Sequence, residues 1–293
     1  MNGNLAATLA AALGREVAAQ PESAIHGGSI NECLCWQTVR GPVFVKCAPL
    51  ARLKMFEAEA DGLARLRQAG SLRVPETLAL GHSNEEAFLI LEWLDFVEPN
   101  AESEEKFGEA LAWLHRNRAQ VYGLERDNFI GATPQSNRPI EDWVAFWRER
   151  RLLYQLELAA RNGHAGRLQD RGRRLVELMD VFFASYRPAA SLLHGDLWGG
   201  NRGVLADGTP VVFDPAVYYG DREADIAMTC LFRGFGPRFY SAYAATWPLD
   251  QAAGTRRALY NLYHVLNHLN LFGGSYREKA EGLIDRLLAA TGH

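Results

Sequence analysis

The chain has 293 residues, of which 48% are hydrophobic and 23% charged, with a formal net charge of −4. This length and balance suit one large domain or two packed lobes and exclude a disordered chain, which would bury too little apolar surface to offset the entropy of ordering. The acidic balance argues against nucleic acid as the main partner, since phosphate backbones are bound by clustered Lys and Arg, and no apolar run approaches the roughly 20 residues that a membrane span needs.

The segment Met1 to Ala19 is Ala-rich but has no basic leader, and its charges, Arg15 and Glu16, follow the apolar stretch. It reads as a helix rather than a signal peptide. His26-Gly27-Gly28-Ser29 is a glycine-rich loop that opens a mostly apolar run ending at Val39. Arg40-Gly41-Pro42 is a turn signal and Val43-Phe44-Val45-Lys46 a second strand, so the two runs form an antiparallel hairpin. The four cysteines are Cys33, Cys35, Cys47 and Cys230, with no CxxC pair and no His partners at zinc-ligand spacing. That usage points to a cytoplasmic protein without structural zinc. Cys33 and Cys35 share a strand face and read first as small buried hydrophobes, with a redox switch as the alternative.

Residues 51–69 predict a helix closed by Gly70. Glu59, Leu63 and Leu66 lie at i, i+4 and i+7, so Glu59 projects along an apolar face, and this favours it over Glu57 as the partner of a buried cation. Val74-Pro75 opens an extended stretch. Ala87-Phe88-Leu89-Ile90-Leu91 is a continuous apolar run, expected to be a buried strand, that ends at Glu92-Trp93-Leu94. Beyond it the pattern is mostly helical. One helix runs around Phe107, Leu111 and Leu114, another from Trp143 toward Leu158, a third over Gln169–Tyr186, and two more between Gln251 and Ala290, separated by Gly273-Gly274. A polar loop with Gly131, Pro134 and Pro139 lies between the first two. Asp207-Gly208, between Val204-Leu205 and Val211-Val212-Phe213, signals one small hairpin. The expected class is α+β with two lobes, a small β-rich N-terminal lobe over residues 1–94 and a larger helical lobe over 95–293.

The strongest chemical signal is His194-Gly195-Asp196-Leu197-Trp198-Gly199-Gly200-Asn201. Its H-x-D-x-x-x-x-N spacing is that of a kinase catalytic loop, in which the Asp serves as base and the Asn as a magnesium ligand. Asp214 follows 13 residues after Asn201, at the far end of the predicted hairpin, where it would return as a second metal ligand. Upstream, in the required order, stand Gly27, Gly28 and Ser29 for the phosphates, Lys46 on the next strand and Glu59 on the next helix. Glu92, Trp93 and Leu94 fall where the lobes join, and there backbone groups would meet adenine. Each part alone has a plain reading as a polar turn, a surface lysine or a linker. Together and in order they imply ATP and Mg2+ as cofactors and an alcohol as phosphoryl acceptor. His115 and His194 read as structural, because the base is already supplied.

Further residues bring a family into view. Gly28-Ser29-Ile30-Asn31, Phe44-Val45-Lys46, Asp127-Asn128-Phe129-Ile130-Gly131, Trp198-Gly199-Gly200, Phe213-Asp214-Pro215-Ala216, Tyr219–Asp225 and Phe272-Gly273-Gly274-Ser275-Tyr276 resemble the fructosamine/ketosamine kinases. These form a branch of the aminoglycoside-phosphotransferase-like, protein-kinase-like fold. Asp214-Pro215 stands where protein kinases have Asp-Phe-Gly, which suits the small-molecule branch. The resemblance implies ATP-dependent phosphorylation of the 3-hydroxyl of a ketosamine, free or protein-bound. Elimination of that phosphate would then free the amine, a deglycation or repair reaction. It also points to Trp198, Asp221 and Glu223 at the acceptor; Asp221, Glu223 and Asp225 either face the acceptor amine or cap the next helix, and capping is preferred for Asp225. A kinase of another hydroxylated metabolite, such as an aminoglycoside or choline, stays open, as does a kinase-like binding module. Oligomeric state is not set by the sequence.

Overall fold

The computed structural model describes residues 3–25, 31–232 and 234–292. The loop expected at Gly27, Gly28 and Ser29 lies outside the described residues.

Helix α1 (Gly3–Leu13) is followed by strands β1 (Ser23–Ala24), β2 (Glu32–Thr38) and β3 (Gly41–Pro49), then helix α2 (Leu53–Ala69) and strands β4 (Thr77–His82) and β5 (Glu86–Glu92). The five strands form one antiparallel sheet in the order β1-β2-β3-β5-β4. Period-two alternation divides its side chains. Leu34, Trp36, Val43, Val45 and Cys47 pack with Leu5 and Leu9 of α1, whereas Leu89 and Leu91 pack with Phe56, Leu63 and Leu66 of α2. Strand β5 is therefore covered on both sides, and Ala87 to Leu91 are all buried. Lys46 sits in β3, opposite Cys33 on β2 and Leu89 on β5. Helix α2 starts after a 3₁₀ turn at Leu50–Arg52 and ends at Gly70, whose left-handed φ of 74° supplies the expected terminator.

The remainder is mainly helical. Helix α3 (Ala101–Leu114) begins with a capping box between Asn100 and Ser103. Strands β6 (Asn128–Ile130) and β7 (Thr133–Gln135) form a hairpin inside the segment that reads as a polar loop, because three-residue strands are too short to show alternation. The helix expected from Trp143 is α4 (Trp143–Trp147), widened by a π-helical stretch at Arg148–Leu153 and continued as α5 (Tyr154–Arg161). The widened turn carries Arg151 to the interior, where it donates to Ser136 O at 2.6 Å and Asn137 Oδ1 at 2.7 Å. Helix α6 (Arg167–Glu177) stops short of the expected Tyr186. A 3₁₀ helix at Met179–Phe183 turns Met179, Phe182 and Phe183 into the core instead.

Strands β8 (Ser191–Leu193), β9 (Arg202–Val204), β10 (Pro210–Val212) and β11 (Tyr218–Gly220) make two small antiparallel pairs, β9 with β10 and β8 with β11. Helices α7 (Glu223–Leu231), α8 (Pro237–Thr246), α9 (Ala253–Phe272) and α10 (Tyr276–Ala290) complete the chain. The last two are the pair expected around Gly273-Gly274. Helix α8 has no counterpart in the sequence reading, although Pro237 in its first turn is a start signal. One apolar cluster joins the two halves, since Phe56 and Leu89 pack in the same core as Phe107, Leu192, Val212 and Phe239. The class is α+β, with a sheet-containing N-terminal region and a helical C-terminal region. No helix among the described residues is long and apolar enough to cross a membrane.

Candidate active site

Strand β8 ends in the His194-Gly195-Asp196 turn, and the backbone there admits only glycine. Gly195 has φ of 82°, and a Cβ on it would fall 2.1 Å from Ala216 O. The turn is held from below by Asp225. Its buried carboxylate accepts from His194 N at 2.7 Å and Gly195 N at 2.9 Å. His115 Nε2 donates to the same carboxylate at 3.1 Å, as it must, since a carboxylate only accepts. Burial keeps His115 below the usual imidazole range. Its Nδ1 therefore accepts from Tyr243 Oη at 2.8 Å, and Arg222 donates to that same oxygen at 3.1 Å. Burial alone would raise Asp225, but the donated hydrogen bonds and the neighbouring imidazoles hold it below the ordinary carboxylate range. The expected cap of α7 is thus an anchor of the catalytic turn instead: Asp225 lies within the helix, and its side chain reaches back about thirty residues in sequence.

The hairpin β9–β10 closes at its base as expected. Phe213 N donates to Asn201 O at 3.1 Å, and Asn201 Nδ2 donates to Asp196 O at 2.9 Å, Asp196 Oδ2 at 3.2 Å and Asp214 O at 3.4 Å. Asp214 is the one non-glycine among the described residues with positive φ, at 55°. Asp tolerates this left-handed backbone better than most residues, and it turns the carboxylate into the cleft. Burial first, and the charge of Asp214 second, push Asp196 up to about 7. Lys46 Nζ donates to Glu59 Oε1 at 2.7 Å and also to Asp214. Burial works against its charge, yet these two carboxylates raise it above the ordinary lysine range. Glu57, the rival of Glu59, turns instead to Arg126 at 3.0 Å.

These groups open into one cavity of about 520 Å³. Lys46, Glu59, Asp196, Asn201 and Asp214 line one part, together with Cys33. Trp198, Phe232, His268, Phe272 and Tyr276 line another. His268 is the hub of this aromatic wall, with ring centroids 4.7 Å from Phe232, 5.1 Å from Tyr276 and 5.6 Å from Phe272. Of these, the sequence assigns only Trp198 to the acceptor, and Phe272 and Tyr276 stand in it only as marks of the family resemblance; the fourth-residue spacing of His268 and Phe272 on α9 is the signal that joins them. Asp221 and Glu223 are not brought to the cavity. Asp221 is buried beneath the hydroxyls of Tyr260 and Tyr186, and Glu223 makes a buried bidentate pair with Arg256 at 2.8 and 3.0 Å. Neither lines the cavity, and Asp221 Oδ1 accepts from Glu223 N at 3.0 Å at the start of α7, the capping role that is the alternative for these acids. Glu92, Trp93 and Leu94 do form the connection out of β5. Glu92 is held by Arg73, and Trp93 Nε1 donates to Asp95 at 2.8 Å.

The donor set fits a divalent cation of the magnesium type. No three His, Cys, Asp or Glu side chains among the described residues converge as a ready-made metal cage. Asp214 and Asn201 instead offer two hard oxygens, which suits an ion that keeps waters and takes phosphate oxygens. Lys46 is the one Lys or Arg among the described residues lining a cavity that holds three carboxylates. The site can therefore grip a phosphate chain at Lys46 and a cation beside it, and present a carboxylate to a hydroxyl.

The chain is similar to known proteins. The chain is 41% identical over 270 residues to a probable ketoamine kinase of Synechocystis, covering 92% of this chain and 90% of the relative. It is 40% identical over 269 residues to the chloroplastic protein-ribulosamine 3-kinase of Oryza sativa subsp. indica, covering 91% and 78%. The solved structure of a candidate fructosamine-3-kinase from Haemophilus somnus superposes with a TM-score of 0.87 at 31% identity, over 97% of this chain and 96% of that one. An aminoglycoside phosphotransferase bound to ADP and hygromycin B shares the fold alone, at TM-score 0.67 and 13% identity over 98% of both chains. The family model described as fructosamine kinase matches residues 1–290. With that match running through the whole of the site just described, the chain belongs to the fructosamine kinase family.

Proposed function

We propose that this protein transfers the terminal phosphoryl group of ATP to the 3-hydroxyl of a ketosamine, free or attached to a protein, with the cytoplasm as its expected compartment. The observation that carries this reading is the single cavity in which the Lys46–Glu59 pair, Asp196, Asn201 and Asp214 meet a wall of aromatic rings. In this reading residues 1–94 carry the nucleotide and 95–293 the acceptor. Lys46, fixed by Glu59, grips the α- and β-phosphates. Asp196 accepts a hydrogen bond from the sugar hydroxyl and takes its proton as the oxygen attacks phosphorus. Asn201 and Asp214 would hold magnesium, which would supply neutralisation of charge on the phosphates.

The acceptor wall separates this reading from its nearest rival. A polycationic aminoglycoside calls for carboxylates around its ammonium groups. The described carboxylates of the cavity are Glu59, Asp196 and Asp214, all in the phosphoryl-transfer part. Trp198, Phe232, His268, Phe272 and Tyr276 instead suit a single amine with an apolar stem, which rings can cover and whose cation their faces attract. The test is product structure: coupling between phosphorus and the proton on carbon 3 supports the proposal, and phosphate on any other hydroxyl refutes it.

A further inference from the structure

The connection between β5 and α3 holds a half-exposed aromatic ring that the phosphoryl-transfer residues do not use. Phe96 lies two residues beyond Leu94 and keeps 46% of its surface exposed. Its ring stacks on Phe213, with centroids 5.6 Å apart and planes inclined by 14°. It also rests against Gly203, where a Cβ would fall 2.4 Å from the ring. Both supports belong to the nucleotide machinery by position. Gly203 is the second residue after Asn201, and Phe213 immediately precedes Asp214. Pairing of Val212 with Arg202 keeps the two supports side by side, and Val97 N, donating to Val204 O at 2.8 Å, ties the Phe96 segment to the same strand. The ring is thus braced between the residues that would hold the metal and the connection whose backbone would meet the base. Trp93, the other large aromatic of this connection, has its indole committed to Asp95.

We propose that Phe96 is the stacking platform for the nucleobase of ATP, and that Gly203 is a glycine because the ring occupies the space of its side chain. This rests on the kinase reading above. An apolar ring backed by rigid neighbours loses no further freedom when a base covers it, and burying its open face removes apolar surface from water. Stacking tolerates any base, so Phe96 contributes affinity while the connection's backbone discriminates between bases.

The test is calorimetric ADP binding to the full chain and to Phe96→Ala, Phe96→Leu and Phe96→Trp, each checked by thermal melting, followed by steady-state KM for ATP. Phe96→Ala is expected to weaken ADP about tenfold, within the range of one stacked base, and to raise KM for ATP in parallel. Phe96→Trp should stay near wild type and Phe96→Leu fall between. Inorganic tripolyphosphate, which has no base, should compete equally well against every variant. An unchanged ADP affinity in folded Phe96→Ala overturns the proposal, as does an equal loss for tripolyphosphate. Should Phe96→Ala not fold, Phe96→Leu carries the same comparison. Calorimetry needs no turnover, so a wild type that binds ADP yet phosphorylates no ketosamine refutes the function and leaves the Phe96 test decisive.

Discussion

Replacing Asp225 by Asn removes one charge and one acceptor from beneath the catalytic turn. The native carboxylate takes His194 N and His115 Nε2 on Oδ2 and Gly195 N on Oδ1. An amide keeps one oxygen, so whichever way it turns, its NH2 group faces at least one N–H that can no longer be satisfied. A hydrogen bond to a charged group contributes about 1.5–3 kcal/mol, and a stranded buried donor costs a similar amount. The variant should therefore lose roughly 2–3 kcal/mol, which at about 2–4 °C per kcal/mol lowers Tm by roughly 4–12 °C. The orphaned donor in the more favourable orientation is Gly195 N, one residue from Asp196, and a displacement of about 1 Å there costs turnover on the order of 100-fold. Asp225→Ala strands all three donors at about 1–3 kcal/mol each, approaching the whole stability of about 5–15 kcal/mol, and should not accumulate as folded protein. Thermal melting and kcat are the assays. Asp225→Asn with wild-type Tm and wild-type kcat would refute the anchoring role. The sign of the acid response follows as well. Because Asp225 is held below its ordinary range, its stabilisation is fully present above that range and is lost only as pH falls through the depressed value.

Lys46→Met, which strands Glu59 and Asp214 without their shared cation, should cut kcat on the order of 100-fold or more, read by ADP release; a loss under fivefold would contradict the role. Asp196 is pushed up to about 7 by burial and the charge of Asp214, so kcat/KM should rise with pH up to about 7 and then level, because only the ionised form accepts a proton. A profile flat down to pH 5 would count against it as base. Arg256→Met leaves Glu223 buried and unpaired and should cost about 3–5 kcal/mol in urea unfolding. Arg256→Lys should recover little of this, since an ammonium cannot reproduce the bidentate contact.

The parts of the site that were legible in the sequence are those whose signal is local. The His194–Asn201 spacing, the Asp207-Gly208 turn and the i, i+4, i+7 register of Glu59 each involve a short stretch, and folding brings them together through one hairpin and one helix face. The α+β division was readable because the apolar run of β5 and the helical periods beyond it are long. What stayed hidden depends on contacts across the chain. Asp225 looks like a helix-start residue until β8 is seen above it, and Asp221 and Glu223 look like site acids until Tyr186, Tyr260 and Arg256 are seen to cover them. Phe96 and Gly203 lie more than a hundred residues apart, and neither is informative without the other. The β6–β7 hairpin and the break after Glu177 escaped because their elements are only a few residues long or 3₁₀ in form.

The most direct test of the central claim is ADP release with magnesium and ATP, comparing a fructosyl- or ribulosyl-amine, an aminoglycoside, choline and no acceptor, in wild type and Asp196→Asn. The account predicts turnover confined to the ketosamines and lost on the order of 100-fold or more in Asp196→Asn. Turnover with the aminoglycoside or choline in place of the ketosamines, or a fully active Asp196→Asn, would contradict it.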